Sequence, residues 1–126
     1  MLNLLWIAAG GALGAVLRFL LSSGVHTAFP NFRPLGTMAV NVLGCLLVGM
    51  FMTWILHSKT VGSPLHLFLV PGLLGGFTTF SAFGYETATL WQGKHANLVV
   101  FNLAGSVGLG LCAVVVGQWL MERFLR

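Results

Sequence analysis

Charge is what this sequence has least of. Its 126 residues hold six Lys and Arg and two acids, 6% charged in all, against a hydrophobic share of 57% and a mean hydropathy of +0.94. A soluble domain carries about a quarter charged residues because its surface must face water. So few charges exclude a soluble domain, and most of the outer surface must face lipid. Cysteine is scarce too. Cys45 and Cys112 stand inside apolar runs and read as small packing residues rather than a disulfide pair. The four histidines fall at span ends or in loops without metal-ligand spacing, and no nucleophile–base pair stands out, so no enzyme is expected. A net charge of +4 and a pI near 9.8 would point to nucleic acid in a soluble protein. Here the basic residues are expected at helix ends, snorkelling to the membrane surface, with no nucleic-acid partner. The chain opens without a positively charged n-region, and its first apolar run is longer than a signal-peptide core. It therefore reads as a membrane span rather than a removed signal.

What is there is apolar sequence in four lengths. A bilayer core about 30 Å thick takes roughly 20 apolar residues in helix. Spans are predicted at about 4–21, 37–56, 65–91 and 97–121, forming one four-helix transmembrane domain over residues 1–126. His26, Pro30, Asn31, Arg33 and Pro34 mark the first loop, Ser58 to Pro64 the second, and Gly93 to His95 the third. Gly10 and Gly14 in the first span, and Gly105, Gly108 and Gly110 in the fourth, predict close helix contacts, because packing drives association in lipid.

The third span is predicted to be broken near its middle. Pro71, Gly72, Gly75 and Gly76 lead into Thr78-Thr79, crowding glycines and β-branched residues where a membrane helix should be regular. A break at membrane depth is tolerated only inside protein or beside a wet cavity, and such breaks form ion or substrate sites. A close-packing glycine helix is the competing reading, and composition leaves both open. Orientation is also open. Lys59, Arg123 and Arg126 fall on one side and Arg18, Arg33 and Lys94 on the other, so the positive-inside rule cannot choose. Either a subtler signal orients the protein, or copies insert both ways and pair antiparallel. Four short helices hardly enclose a pore unaided, which favours an oligomer.

Polar residues inside a membrane are costly and so are functional candidates. They are Asn41 in the second span, Thr78, Thr79 and Ser81 in the third, and Asn102 and Ser106, one turn apart, in the fourth. Nearly all are neutral hydrogen-bond donors, a set suited to an anion. Glu86, late in the third span, is placed to reach an aqueous vestibule. A bond to the helix's own carbonyls is the ordinary alternative for each Ser and Thr. Phe80 and Phe83 follow the expected break; ring edges are positive and could face a dehydrated anion, although a Phe pair at this spacing is also ordinary packing.

Three segments taken together resemble the Fluc (CrcB) family of fluoride channels: Gly10-Gly11-Ala12-Leu13-Gly14-Ala15-Val16-Leu17-Arg18-Phe19, Gly36-Thr37-Met38-Ala39-Val40-Asn41-Val42-Leu43-Gly44, and Gly75-Gly76-Phe77-Thr78-Thr79-Phe80-Ser81-Ala82-Phe83. The resemblance implies an antiparallel, dual-topology homodimer with two fluoride pores, in the plasma membrane (the inner membrane of a bacterium). It implies pore roles for Phe80, Phe83 and Asn41, with Thr79 and Ser81 in the same motif, and a polar track through Asn102 and Ser106. It further implies a vestibule role for Arg18 and a structural Na+ at the dimer centre, held by backbone carbonyls at Gly75 and Thr78. The family commonly has Thr where this chain has Ala82, so weaker or slower conduction is expected if that hydroxyl normally contacts the ion. The expected function is passive, selective export of fluoride. The rivals are a small multidrug exporter, which needs a carboxylate in the first span that is missing here, and a non-transporting subunit of a membrane complex.

Overall fold

The computed structural model describes residues 1–32 and 34–126; Arg33, one of the six basic residues, lies outside the described residues. The helices are α1 (Leu2–Ala28), α2 (Pro34–His57), α3 (residues 64–77), α4 (Phe80–Gln92) and α5 (residues 96–124). Among the described residues α1, α2, α3 with α4, and α5 give four spans long and apolar enough to cross a membrane. Leu4, Phe19, Leu111 and Trp119 are among the large apolar side chains left exposed, as a lipid-facing surface requires.

The first helix outruns its predicted span. Nothing between Leu21 and Ala28 breaks it, and it stops where the Phe29 N–H returns to the Val25 carbonyl at 2.8 Å, just ahead of Pro30. His26 therefore lies in the last turn of α1 rather than in a loop, and Pro34 opens α2, a position that needs no N–H. Arg18 likewise sits well inside α1 instead of at a helix end. Two later turns share one device. After α2, Lys59 at φ 54° sends its N–H to Leu56 (3.3 Å) while Thr60 N–H reaches back to Ile55 (3.1 Å). After α4, Lys94 at φ 58° and His95 repeat the pattern on Trp91 and Leu90, both at 3.0 Å. Both are Schellman closures carrying a lysine where glycine is usual. Ser63 then caps α3, accepting from His66 N–H at 3.1 Å, with Pro64 in the first helical position.

Glycines set the packing in two pairs. A Cβ on Gly10 would strike the Phe68 carbonyl, one on Gly14 the Leu73 carbonyl, and one on Gly76 the Gly11 carbonyl, so α1 and α3 touch backbone to backbone. Gly49 and Gly117 do the same for α2 and α5, against the Val114 and Leu46 carbonyls. Two stretches widen into π-helix: Phe68–Leu74, which holds the Pro71 and Gly72 that the sequence marked as irregular, and Ala104–Leu109, which the sequence did not. The first contains Pro71, which has no N–H to return, and the wider register absorbs the missing bond.

Candidate ion path at the helix break

The third span is broken at Thr78 and Thr79, which are extended (φ −76°, ψ 156° and φ −150°, ψ 119°) between α3 and α4. The glycines before it, Gly75 and Gly76, stay helical. Asn41 on α2 closes the gap. Its Nδ2 donates to the Thr79 carbonyl (3.0 Å) and its Oδ1 accepts the Thr79 N–H (2.8 Å). One side-chain amide thus stands in for the two backbone bonds that Thr79 loses. The Thr79 hydroxyl caps α4 by accepting the Ala82 N–H at 3.2 Å, and lies 3.1 Å from the Ser81 hydroxyl. Thr78 follows the ordinary alternative, its hydroxyl donating to the Leu74 carbonyl at 2.9 Å.

A cavity of about 450 Å³ opens at this break, lined by Asn41, Gly75, Thr78, Thr79, Phe80, Phe83 and Ser106 with Gly44, Cys45 and apolar neighbours. The Phe80 and Phe83 rings are tilted at 46° with centroids 5.5 Å apart; Phe83 is 7% exposed and Phe80 82%. One ring is fixed in the protein and the other projects from it. A second cavity, about 490 Å³, lies toward the end of α1 and is lined by Arg18, Ser22, Ser23, His26, Thr37 and Glu86, with Thr79 and Ala82 at its inner side. Thr37 donates to Glu86 Oε1 at 2.6 Å, while Oε2 is buried with no hydrogen-bond partner among the described residues. Thr79 lines both cavities, so both reach the break.

The structure thus brings Asn41, Gly75, Thr78, Thr79, Phe80, Phe83 and Ser106 to one cavity and Arg18 to the next. Ser81 reaches the first only through its contact with Thr79. Asn102 lines neither. It is fully buried between α4 and α5, its Nδ2 donating to the Thr87 hydroxyl (2.9 Å) and its Oδ1 accepting from Ser106 (3.2 Å). Glu86 does reach the outer cavity, as its position in the span predicted. Sequence reasoning missed Thr37 and Thr87. The signal for both was only a lone threonine in an apolar run, whose partners are set by helix packing. Ala82 lines the outer cavity, so its missing hydroxyl belongs with Arg18 and Glu86.

Among the described residues no cluster of three or more His, Cys, Asp or Glu could hold a metal ion. A cation at the break would have to rest on carbonyl and hydroxyl oxygens, and the break supplies them. The Thr79 N–H, which a continuous helix would return to Gly75, goes to Asn41 instead and leaves the Gly75 carbonyl without that bond. Thr78, being extended, also turns its carbonyl out of the helical ladder. Neutral oxygens of this kind fit a small, hard, singly charged cation.

The sequence pattern described as "CrcB-like protein, Camphor Resistance (CrcB)" matches residues 5–118. The chain is 44% identical over 122 residues to a protein of Chloroflexus aurantiacus (strain ATCC 29366 / DSM 635 / J-10-fl) named "Fluoride-specific ion channel FluC", covering 97% of each. Proteins of the same name from Roseobacter denitrificans (43% over 123 residues, 95% of each) and Helicobacter pylori strain G27 (38% over 123 residues, 96% of this chain and 94% of the relative) are also similar. With a pattern and relatives that run nearly end to end, the chain belongs to the CrcB family.

Proposed function

We propose that this protein is a fluoride-selective channel through which the ion leaves the cell passively, and that it works as an antiparallel homodimer with two pores. Family membership supports the ion and the activity, which is passage rather than catalysis. The four apolar spans make it a multi-pass membrane protein, of the plasma membrane in a bacterium. The observation that carries the reading is that Thr79 lines both a cavity bearing Arg18 and a cavity bearing the Phe80–Phe83 pair.

Bare fluoride is small and strongly hydrated, and moving it into low dielectric costs tens of kcal/mol by Born reckoning unless donors replace its water. Arg18, Ser22 and Ser23 draw the hydrated anion into the outer cavity. Thr79 and Ser81 share one proton between their oxygens, which leaves the second free to turn toward the ion. Beyond them the ring edges of Phe80 and Phe83 take over, beside Ser106 and the Asn41 amide. Several moderate sites in series let an ion leave as readily as it arrives. Chloride is rejected by its size and its weaker hold on such donors. A Na+ on the Gly75 and Thr78 carbonyls would join two copies at the break, since one chain offers too few oxygens to surround it. The exposed Gly75, whose carbonyl lacks the Thr79 N–H, and the projecting Phe80 support a second copy here, because unpaired backbone at membrane depth cannot face lipid.

The multidrug-exporter reading is not favoured, since α1 carries no carboxylate and the relatives are named as channels. The test is fluoride efflux from liposomes holding only this protein, with chloride controls and a Phe80→Ile variant. Fast fluoride efflux, no chloride movement and loss in the variant are expected. Absence of fluoride flux from folded protein would leave the subunit reading in its place.

A further inference from the structure

The polar contacts of α4 form a pattern around Phe83 that the ion path does not by itself require. Thr87 lies one helical turn after Phe83 on the same face of α4, and Thr79, the extended residue that caps α4, lies four residues before it. Each is held by an asparagine from a different helix: Thr79 by Asn41 of α2, Thr87 by Asn102 of α5. The second grip runs into Phe83 itself, because the Thr87 hydroxyl that accepts from Asn102 donates to the Phe83 carbonyl at 2.7 Å. The donors run one way, from Ser106 to Asn102 to Thr87 to Phe83.

We infer that Asn102 is a positioning residue for the aromatic site, acting through Thr87 on Phe83, and not a group that touches the ion. Three observations carry this. Asn102 has no exposed surface and lines neither cavity. Both ends of its amide are engaged by protein, which is the condition for burying an amide at all. And α4 begins at a break, so no preceding helix fixes its rotation or its depth; the two asparagine contacts do so on either side of Phe83. A ring whose edge must face an ion needs that rotation fixed, since a side chain swings with its helix. Phe80, whose carbonyl takes no bond from this chain of donors, is largely exposed, whereas Phe83 is buried.

The inference rests on the channel reading for its purpose but not for its test. The full-length protein is prepared with 4-fluorophenylalanine at position 83, or at Phe124 near the far end of α5 as control, and 19F spectra are recorded in nanodiscs beside liposome fluoride efflux. Thr87→Val, which keeps shape and loses the hydroxyl, is expected to shift or broaden the position-83 resonance, leave the position-124 resonance unchanged, and slow efflux about two- to tenfold, the worth of one buried hydrogen bond. Asn102→Leu is expected to act alike, and Thr87→Ser to restore both readouts. An unmoved position-83 resonance in Thr87→Val would overturn the inference, whatever efflux does, and so would Thr87→Ser behaving like Thr87→Val. Should Asn102→Leu not fold, the two Thr87 variants decide alone. Wild-type protein that moves no fluoride would defeat the channel reading while the spectra still decide this one.

Discussion

Asn41 spends both ends of its amide on the backbone of one residue, and that economy makes it the most exposed point of the site to mutation. In Asn41→Leu the Thr79 N–H and carbonyl lose their partners at membrane depth, each at a cost of about 1–3 kcal/mol. The expected outcome is loss of fluoride efflux with a lowered melting temperature in detergent, and wild-type efflux from this variant would refute the bracing role. Asn41→Asp keeps the acceptor but cannot donate to the Thr79 carbonyl, so it should fail as well. Ala82 allows a test of opposite sign. Because it lines the outer cavity beside Thr79, Ala82→Thr adds a hydroxyl to the path without enlarging the aromatic site. Fluoride efflux should rise about two- to tenfold if that hydroxyl helps to strip water from the ion, and unchanged efflux would show that it does not. At this scale Asn41 was legible because an amide in an apolar run has few other uses, whereas Phe80 and Phe83 stood out only through the motif they share with the family, since a Phe pair at that spacing is also ordinary packing. Thr87 was not. Its partner lies 15 residues on, across a turn, and only the fold of α4 against α5 brings them together. Asn102 stood out for the same reason as Asn41, but its burial gives it a different role from the one its polarity implied.

At the scale of elements, the spans were legible from hydropathy and the break from the glycines and threonines around it, but where helices stop was set by other chemistry. α1 ends at Ala28, just ahead of Pro30, rather than where the apolar count ends, since backbone bonding continues through Ser22 and Ser23 regardless of hydropathy. The π-helical stretches left no readable signal beyond Pro71, because their register follows from packing against neighbours. Glycine spacing predicted close contact correctly at Gly10, Gly14 and Gly105 but not at Gly108, where a methyl group would find nothing within 4 Å, or at Gly110, which makes only ordinary contact with Cys45. It also missed Gly117 against Leu46; only the structure distinguishes contact glycines from idle ones. Gly14 meets the backbone of Leu73 and Phe77, which cannot yield as a side chain could, whereas a methyl group on Gly24 would find nothing within 4 Å. Gly14→Ala should therefore destabilise the protein by about 1–3 kcal/mol, as overpacking does, and part α1 from α3. Gly24→Ala should be neutral or stabilise by about 0.5–1 kcal/mol, the ordinary helix preference for alanine. Thermal unfolding in one detergent, read by loss of soluble monodisperse protein, compares the two. Equal melting temperatures would mean that α1 and α3 do not meet as closely as the glycines require.

The whole molecule raises the question of which way it sits. Three basic residues fall on each side of the membrane by sequence, and one of the six, Arg18, lies within α1 and lines the outer cavity instead of lying free at a helix end. Orientation in the membrane follows the excess of Lys and Arg near span ends, and a chain without an excess has no reason to choose. At the break, meanwhile, Gly75 and an 82% exposed Phe80 line one cavity, and on the dimer proposed above a second copy would cover them. Copies inserted both ways would meet break to break about a twofold axis in the membrane plane, each completing the other's cavity and offering an outer cavity to each side. The consequence is countable. With Cys45 and Cys112 replaced by alanine and Ser58→Cys as the one thiol, which leaves the charge balance untouched, a membrane-impermeant maleimide should label about half of the protein in intact cells, and the rest only after the membrane is opened. The purified protein should run at about 27 kDa by light scattering after subtraction of detergent, twice the 13.5 kDa chain. Removing two positive charges from one side, as in Arg123→Gln with Arg126→Gln, should push labelling toward all or none and, with only one orientation made, abolish the dimer and its flux together. Labelling that is already all or none in the parent protein would rule out dual topology, and the second copy would then have to be parallel.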